Sequence, residues 1–378
     1  MKILVVNMSV DAVLGGGTVE RTCKLAKELQ KLPGTEAKVL STTANLNDDH
    51  IINDKQYILL PCVNQRWYIP APYFGDIYRS IKWADVIVII GHWTLLNALV
   101  YWVNKIVGRP YLFCPAGALH IFGRSGLFKR AYNALVGRSI LEHADAVIAI
   151  PKDERKLFYK FGVDKNRVAV IPNGISPEDF RYNDTEGVRE KYGLGKAPFL
   201  LFVGRLNEIK GPDILLDAFM AIKKQFPSWH LVFAGPDGGM EASLKTLVQK
   251  ASIEGRVHFL GFVSGHDKSS LYHAASILVI PSRLEAMSIV ALEAAICSTP
   301  VIMTDECGFS ELVGAGGALE VPVASEPLAK AMSMAMADEK VRLDMGFKAK
   351  TFIQMNYTWE IAAKKHKDWC EKVCSSEV

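Results

Sequence analysis

Short runs of β-branched and other apolar residues alternate along this chain with longer amphipathic stretches, the pattern of a parallel sheet covered by helices. Strands are predicted at Ile3–Asn7, Ala37–Thr42, Val86–Ile90, Tyr111–Cys114, Ala146–Ile150 and Val168–Ile171, one doubly wound domain. After Ile171-Pro172-Asn173-Gly174 comes a polar stretch, Ser176 to Pro198, in which the domain junction is placed. The pattern then restarts. Strands are predicted at Phe199–Val203, His230–Ala234, Val257–Leu260, Ser270–Ala275, Ile277–Ile280 and Val301–Met303, with helices over about 212–226, about 241–252 and from Ser288. The expected organisation is two Rossmann-like α/β domains, 1–176 and 177–357. A terminal helix over 358–378, with Trp359, Ala362, Ala363 and Trp369 at helical spacing, packs back on the first domain.

Composition agrees with two large cores: 378 residues, 49% hydrophobic and 22% charged, which excludes disorder as the main state. The net charge of +4 is too small to mark a nucleic-acid binder. Its distribution says more. From Val86 to Leu141 there is no Asp or Glu, while Lys105, Arg109, Arg124, Lys129, Arg130 and Arg138 stand among bulky apolar residues. That window reads either as a surface for anionic lipid or a lipid-linked phosphate, or as core elements with a few solvated cations. Seven scattered cysteines without a Cys-x2-Cys pair point to a reducing compartment and to no zinc site. The apolar run Ile3–Val6 is too short for an export signal, so the expected location is cytoplasmic.

In open α/β sheets ligands lie beyond the carboxyl ends of strands, so the loops after each strand carry the candidate chemistry. After the first strand, Gly15-Gly16-Gly17 precedes a helix opening at Thr18 and Val19, either a phosphate-approaching loop or a plain turn. A dinucleotide fingerprint needs glycine where Glu20 stands, which argues against a nicotinamide-dependent dehydrogenase. Arg205 follows the strand Phe199–Val203, and Lys210 lies five residues on. They read as a diphosphate clamp or as two solvated charges. Ser288 is an expected N-cap, and Glu293 lies inside the apolar helix it opens, a buried carboxylate in need of donors. Glu285 stands ahead of that helix, where a ligand over the amides of Met287, Ser288 and Ile289 would sit.

The Glu285-x7-Glu293 pair, the Val203-Gly204-Arg205 to Lys210-Gly211 element, Ile171-Pro172-Asn173-Gly174, the glycines at 15 to 17 and Tyr357-Thr358-Trp359-Glu360 together resemble the retaining, nucleotide-sugar-dependent glycosyltransferases of family 4. Their order and spacing span nearly the whole chain. The resemblance implies the GT-B fold, two doubly wound domains with an interdomain cleft. It places the donor, a UDP- or GDP-sugar, mainly on the second domain. Arg205 and Lys210 would bind its diphosphate, Glu293 its ribose hydroxyls, Glu285 with the amides of Met287, Ser288 and Ile289 its sugar and phosphate, and Phe262 or Val263 its base. The family also often has Pro-His-Gly where this chain has Pro115-Ala116-Gly117; His92 or His120 then stands in for the missing histidine, with Gly117 in the same loop.

The implied reaction transfers a sugar to a glycan or lipid-linked acceptor in surface polysaccharide or glycoconjugate synthesis. Arg205 and Lys210 stabilise the departing diphosphate, and a phosphate oxygen takes the acceptor's proton on the same face. No cofactor or metal is implied, and no Asp-x-Asp occurs to hold one. The rival readings are a UDP-sugar epimerase or hydrolase of the same fold and a non-catalytic nucleotide-sugar-binding module. The expected partners are a nucleotide sugar, its acceptor and an anionic membrane surface at the inner face, with no nucleic acid.

Overall fold

The computed structural model describes residues 1–11, 16–46, 49–65, 68–71, 73–119, 126–285 and 287–375, with only the backbone at 16, 49, 50, 126 and 127. The chain divides into two units, Met1–Gly174 with Trp359–Val378, and Ile175–Thr358. Ile175 and Ser176 therefore belong to the second unit, two residues earlier than the boundary expected from the sequence.

The first unit is built on a seven-stranded parallel sheet: β1 (Lys2–Val6), β2 (Glu36–Thr42), β3 (Tyr57–Leu60), β4 (Val86–Ile90), β5 (Tyr111–Cys114), β6 (Ala146–Ala149) and β7 (Val168–Val170). Their order is β3-β2-β1-β4-β5-β6-β7. Every residue of β4, β5 and β6 is buried, which is why these strands read as unbroken apolar runs. Val5 is in register with Val39 on one side and Val88 on the other. The strand order reverses between β1 and β4, so the loops after these two strands flank the position where such sheets take ligands.

Helix α1 (Gly16–Lys31) follows β1 and packs against the terminal helix. Helix α2 (Leu95–Val107) follows β4; the Thr94 side chain accepts from the Asn97 amide at its start, and Gly108, with φ 78°, ends it through an N–H to the Asn104 carbonyl. Its outward face exposes Trp102 and Ile106, one turn apart, with Lys105 beside them.

The second unit repeats the plan with β8 (Phe199–Val203), β9 (His230–Ala234), β10 (Val257–Phe259), β11 (Ile277–Ile280), β12 (Val301–Thr304) and β13 (Ala318–Val321), ordered β10-β9-β8-β11-β12-β13. All neighbours are parallel, and the order reverses between β8 and β11. Helices α3 (Pro212–Ile222), α4 (Gly265–Ala274) and α5 (Ile289–Ile296) follow β8, β10 and β11. The segment Ser270–Ala275, expected as a strand, is the end of α4 and its cap: Ser269, Ser270, Leu271, Tyr272 and Ala274 are buried along a helix rather than alternating. The terminal helix, α6 (Trp359–Cys374), belongs to the first unit. Among the described residues no helix is long and apolar enough to cross a membrane.

Candidate functional site

The strongest convergence of the expected residues lies in the second unit, where the loops after β8 and β11 meet at the switch point. The turn after β8 is shaped by Asn207, whose side chain accepts from the Lys210 amide at 3.0 Å, and by Gly211 at φ 66°. A Cβ on Gly211 would stand 2.2 Å from the Pro281 carbonyl oxygen, so only glycine lets this turn approach the loop after β11 so closely. Arg283 ties the two together. Its guanidinium donates to both carboxylate oxygens of Asp213, at 3.0 and 2.6 Å, and to the Glu208 carbonyl at 2.5 Å, while its amide donates to the Ile209 carbonyl. The guanidinium also holds the Asp213 carboxyl below its ordinary range against the opposing effect of burial.

This clamp brings Lys210 and Glu285 together, Nζ to Oε1 at 2.9 Å, with the Ser282 hydroxyl donating to the same oxygen at 2.5 Å. The Glu285 side chain is 8% exposed and that of Lys210 34%, so the ammonium, with three donors, faces outward beside a nearly buried carboxylate. Arg205 also follows β8. It is exposed, its stem lies against Gly238, and among the described residues its guanidinium makes no hydrogen bond or ion pair.

Behind them, Ser288 is the N-cap of α5, as expected, but its own side chain makes no capping bond. Its amide donates to the Cys307 carbonyl at 3.2 Å, so of the three amides expected to face a ligand this one is already committed. Met287 is buried, and Ile289 opens the helix. Glu293 is 3% exposed, and its donors come from α4: Lys268 Nζ to Oε1 and the Tyr272 hydroxyl to Oε2, both at 2.6 Å. The buried carboxylate therefore does not wait for a ligand to be satisfied. Two of its roughly four acceptor positions remain. Beyond β10, Phe262 is exposed and Val263 buried.

In the first unit, Gly16 and Gly17 are the first two residues of α1 rather than a loop ahead of it. Gly15 and His120 lie outside the described residues. The Gly117 amide is engaged by Glu154 Oε1 at 3.0 Å, and the other oxygen of Glu154 accepts from the Ile150 amide at 2.8 Å. Glu154 thus pins the loop after β5 to the end of β6, and burial raises its pKa. Of the two residues expected to stand in for the missing histidine, only His92 lies among the described residues. It is buried against Trp93, Phe113 and Tyr132, bonded through Nε2 to Asn133 at 2.8 Å, and its pKa is pushed down to about 4 by burial. A ring so held is neutral near pH 7 and belongs to the packing of its unit.

Sequence reasoning also missed a buried cation. Arg21 of α1 is fully buried, donating to Asn173 Oδ1 and the Ile171 carbonyl at 2.9 Å and lying 3.4 Å from Nε2 of His366 on α6. Arg21, Leu25 and Leu29 share the i, i+4, i+8 stripe of α1, so a charged residue on an apolar face was the available signal. Among the described residues no group of three or more His, Cys, Asp or Glu is placed to hold a metal ion.

Two Rossmann-like units, each with its loops gathered at a switch point, define the architecture of nucleotide-sugar glycosyltransferases of the GT-B type. Residues 16–174 match the family described as "Glycosyl transferase 4-like domain" and residues 184–352 the family "Glycosyl transferases group 1". The chain belongs to the GT4-type glycosyltransferases. It is 28% identical over 243 residues to the lipopolysaccharide 1,2-N-acetylglucosaminetransferase of Salmonella typhimurium, covering 60% of this chain and 64% of that one. It is 34% identical over 173 residues to the D-inositol 3-phosphate glycosyltransferase of Geodermatophilus obscurus, covering 43% and 38%. The chain thus spans less than two thirds of the length of these curated relatives. Among solved structures, Anabaena HepE in complex with UDP-glucose superimposes with a TM-score of 0.77 at 21% identity, covering all of both chains, a likeness of fold.

Proposed function

We propose that this protein is a retaining glycosyltransferase that moves a sugar from a nucleoside diphosphate sugar, with UDP or GDP as its nucleotide, to a glycan or lipid-linked acceptor. The second unit holds the donor and the first the acceptor. The observation that carries this reading is the Lys210–Glu285 pair at the β8/β11 switch point. The clamp around Arg283 sets a cation and a carboxylate side by side where a diphosphate and its sugar would lie together.

In this reading Lys210 and Arg205 bear the pyrophosphate and neutralise the charge that develops on it as the glycosidic bond breaks. Glu285 accepts from hydroxyls of the transferred sugar, the amides of Met287 and Ile289 face its phosphate, and Phe262 lies beside the base. Glu293 accepts from the ribose on the lone pairs that Lys268 and Tyr272 leave. The two carboxylates are occupied with hydroxyls, so the proton of the acceptor passes to a phosphate oxygen of the departing diphosphate on the face it leaves, which gives retention. Arg205 and Lys210 do the work a divalent metal does elsewhere.

The test is incubation of the full chain with UDP- and GDP-sugars, each with and without candidate glycan and lipid-linked acceptors. Acceptor-dependent release of the nucleoside diphosphate, a product with the anomeric configuration of the donor, and indifference to EDTA are the expected results. Rapid donor consumption without acceptor would make the protein a hydrolase or epimerase, and an inverted product would remove the proposed proton path. The exposed Trp102 and Ile106 on α2, with Lys105 beside them, favour a second element: the first unit rests on an anionic membrane surface while it works.

A further inference from the structure

The carboxylate that holds the Lys210 ammonium is itself a negative charge, fixed beside the place where a diphosphate would lie. The Glu285 amide donates to the Glu306 carbonyl at 2.9 Å, and the Ser282 hydroxyl donates to Oε1 at 2.5 Å. Ser282 is held in turn, its carbonyl accepting from the buried Thr304 hydroxyl at 2.6 Å. A carboxylate tethered in this way does not swing aside for a ligand. Lys210 differs: its backbone is anchored by Asn207, but its ammonium turns on a flexible four-carbon stem and can follow a phosphate. Both donors to Glu285 converge on Oε1, and among the described residues Oε2 has none.

A nucleoside diphosphate sugar and the nucleoside diphosphate left after transfer meet this pair differently. The first carries one charge on each phosphate and sugar hydroxyls that can donate to Glu285. The second has no such hydroxyls, and its terminal phosphate, with a second ionisation near about pH 6, gains a further charge at neutral pH. Either one draws the Lys210 ammonium away from Oε1. With the sugar attached, its hydroxyls replace the lost donor. With the sugar gone, a nearly buried carboxylate keeps Ser282 alone and faces a doubly charged phosphate. Repulsion between like charges is strong there, because water and salt screen a nearly buried group poorly.

We propose that Glu285 discriminates the sugar-bearing donor from the discharged nucleotide: it admits a capped diphosphate and repels a free one, so the site empties after each transfer instead of being held by its product. The inference rests on the reading of Lys210 and Glu285 as ligands of the donor. Lys210 and Arg205 by themselves would hold the more highly charged product more tightly than the donor. The carboxylate between Ser282 and Lys210 reverses that order.

The probes are UDP and GDP, each beside the methyl ester of its terminal phosphate, in which the cap removes the extra charge without supplying a sugar. The result therefore does not depend on which sugar the protein transfers. Affinities of the full chain are measured by calorimetric titration at about pH 8 in EDTA, where the uncapped phosphate is doubly charged. The wild type is expected to bind the ester more tightly than the free diphosphate. In Glu285→Gln, which keeps an oxygen for the Ser282 hydroxyl, the order reverses, and the ratio of the two affinities moves by at least about tenfold, the worth of one charge-assisted contact. A wild type that binds the free diphosphate as tightly as its ester, or a ratio unchanged in Glu285→Gln, overturns the inference; should the variant fail to fold, the wild-type comparison decides. Lys210→Ala separates this inference from the reading beneath it. Weakened binding of both probes in Lys210→Ala, with an unchanged ratio in Glu285→Gln, removes the discrimination alone. Wild-type affinities in Lys210→Ala, or no binding of any probe by the wild type, remove the donor reading as well.

Discussion

Glu293 offers the sharpest quantitative test of the second unit. Replacing it by alanine removes one acceptor from two donors at once. Lys268 Nζ, on a side chain only 26% exposed, loses its carboxylate at 2.6 Å, and the fully buried Tyr272 loses the acceptor of its hydroxyl, also at 2.6 Å. A buried ion pair broken by removing one partner costs about 3–5 kcal/mol, because the surviving charge stays desolvated without compensation. The lost hydroxyl contact belongs to the same account and is not added again. Glu293→Gln keeps an oxygen for Tyr272 and loses the charge opposite Lys268, so it should fall about midway. A chain of two units does not unfold in one step, so a probe confined to the second is needed. Trp229 is the one tryptophan between Ile175 and Thr358 and is buried in that unit's core. Fluorine NMR of 5-fluorotryptophan-labelled protein during urea titration, with the resonance identified through Trp229→Phe, reads the stability there directly. A Glu293→Ala variant within about 1 kcal/mol of wild type would refute the idea that this carboxylate anchors α4 to α5.

Lys210→Ala should lower turnover of donor at least about tenfold, the worth of one charge-assisted contact, while circular dichroism stays unchanged, since Glu285 keeps the Ser282 hydroxyl; wild-type kinetics would dissociate this pair from the reaction. The pH dependence of stability follows from two buried histidines, His92 pushed down to about 4 and His366 to about 3, the first by burial and the second by burial and the neighbouring Arg21. Both are neutral when folded and take up protons when unfolded below about 6.5, so their stabilisation is complete above that pH and is lost as pH falls toward the folded values. Replacing His366 by Gln should flatten the dependence between about pH 6 and 4.5 by close to one proton, about 1.4 kcal/mol per pH unit, in urea titrations; an unchanged slope would contradict its burial. For the membrane-facing helix, Trp102→Ser/Ile106→Ser should abolish flotation with vesicles rich in anionic phospholipid, and equal flotation with neutral vesicles would remove electrostatics from the account.

Central strands were legible because burial on both faces makes them continuous apolar runs, as in β4 and β11. The edge strands β3 and β13 escaped for the converse reason. Only Leu60 is fully buried in β3, and in β13 only Ala318, so neither shows a run or a clean alternation. The segment before β11 misled because six residues of mixed burial are too few to separate a period of 2 from one of 3.6. At the site, Arg205, Lys210 and Glu285 could be read from their places after strands. Their support could not: Arg283 with Asp213, Lys268 and Tyr272 with Glu293, and Glu154 with Gly117 are pairings over 21 to 70 residues, which leave no trace in local spacing. Nor could the sequence show that the Ser288 amide is spent on Cys307.

The contact between Arg21 and His366 joins residues 345 positions apart within a single unit. On a ribosome, the amino-terminal unit cannot close until α6 has been synthesised, whereas residues 175–358 form an uninterrupted body that is complete beforehand. Nascent chains stalled with Thr358 just clear of the exit tunnel should therefore carry a finished carboxyl-side unit and an amino-side unit still lacking a wall around its buried guanidinium. Assembly would then run opposite to the direction of translation.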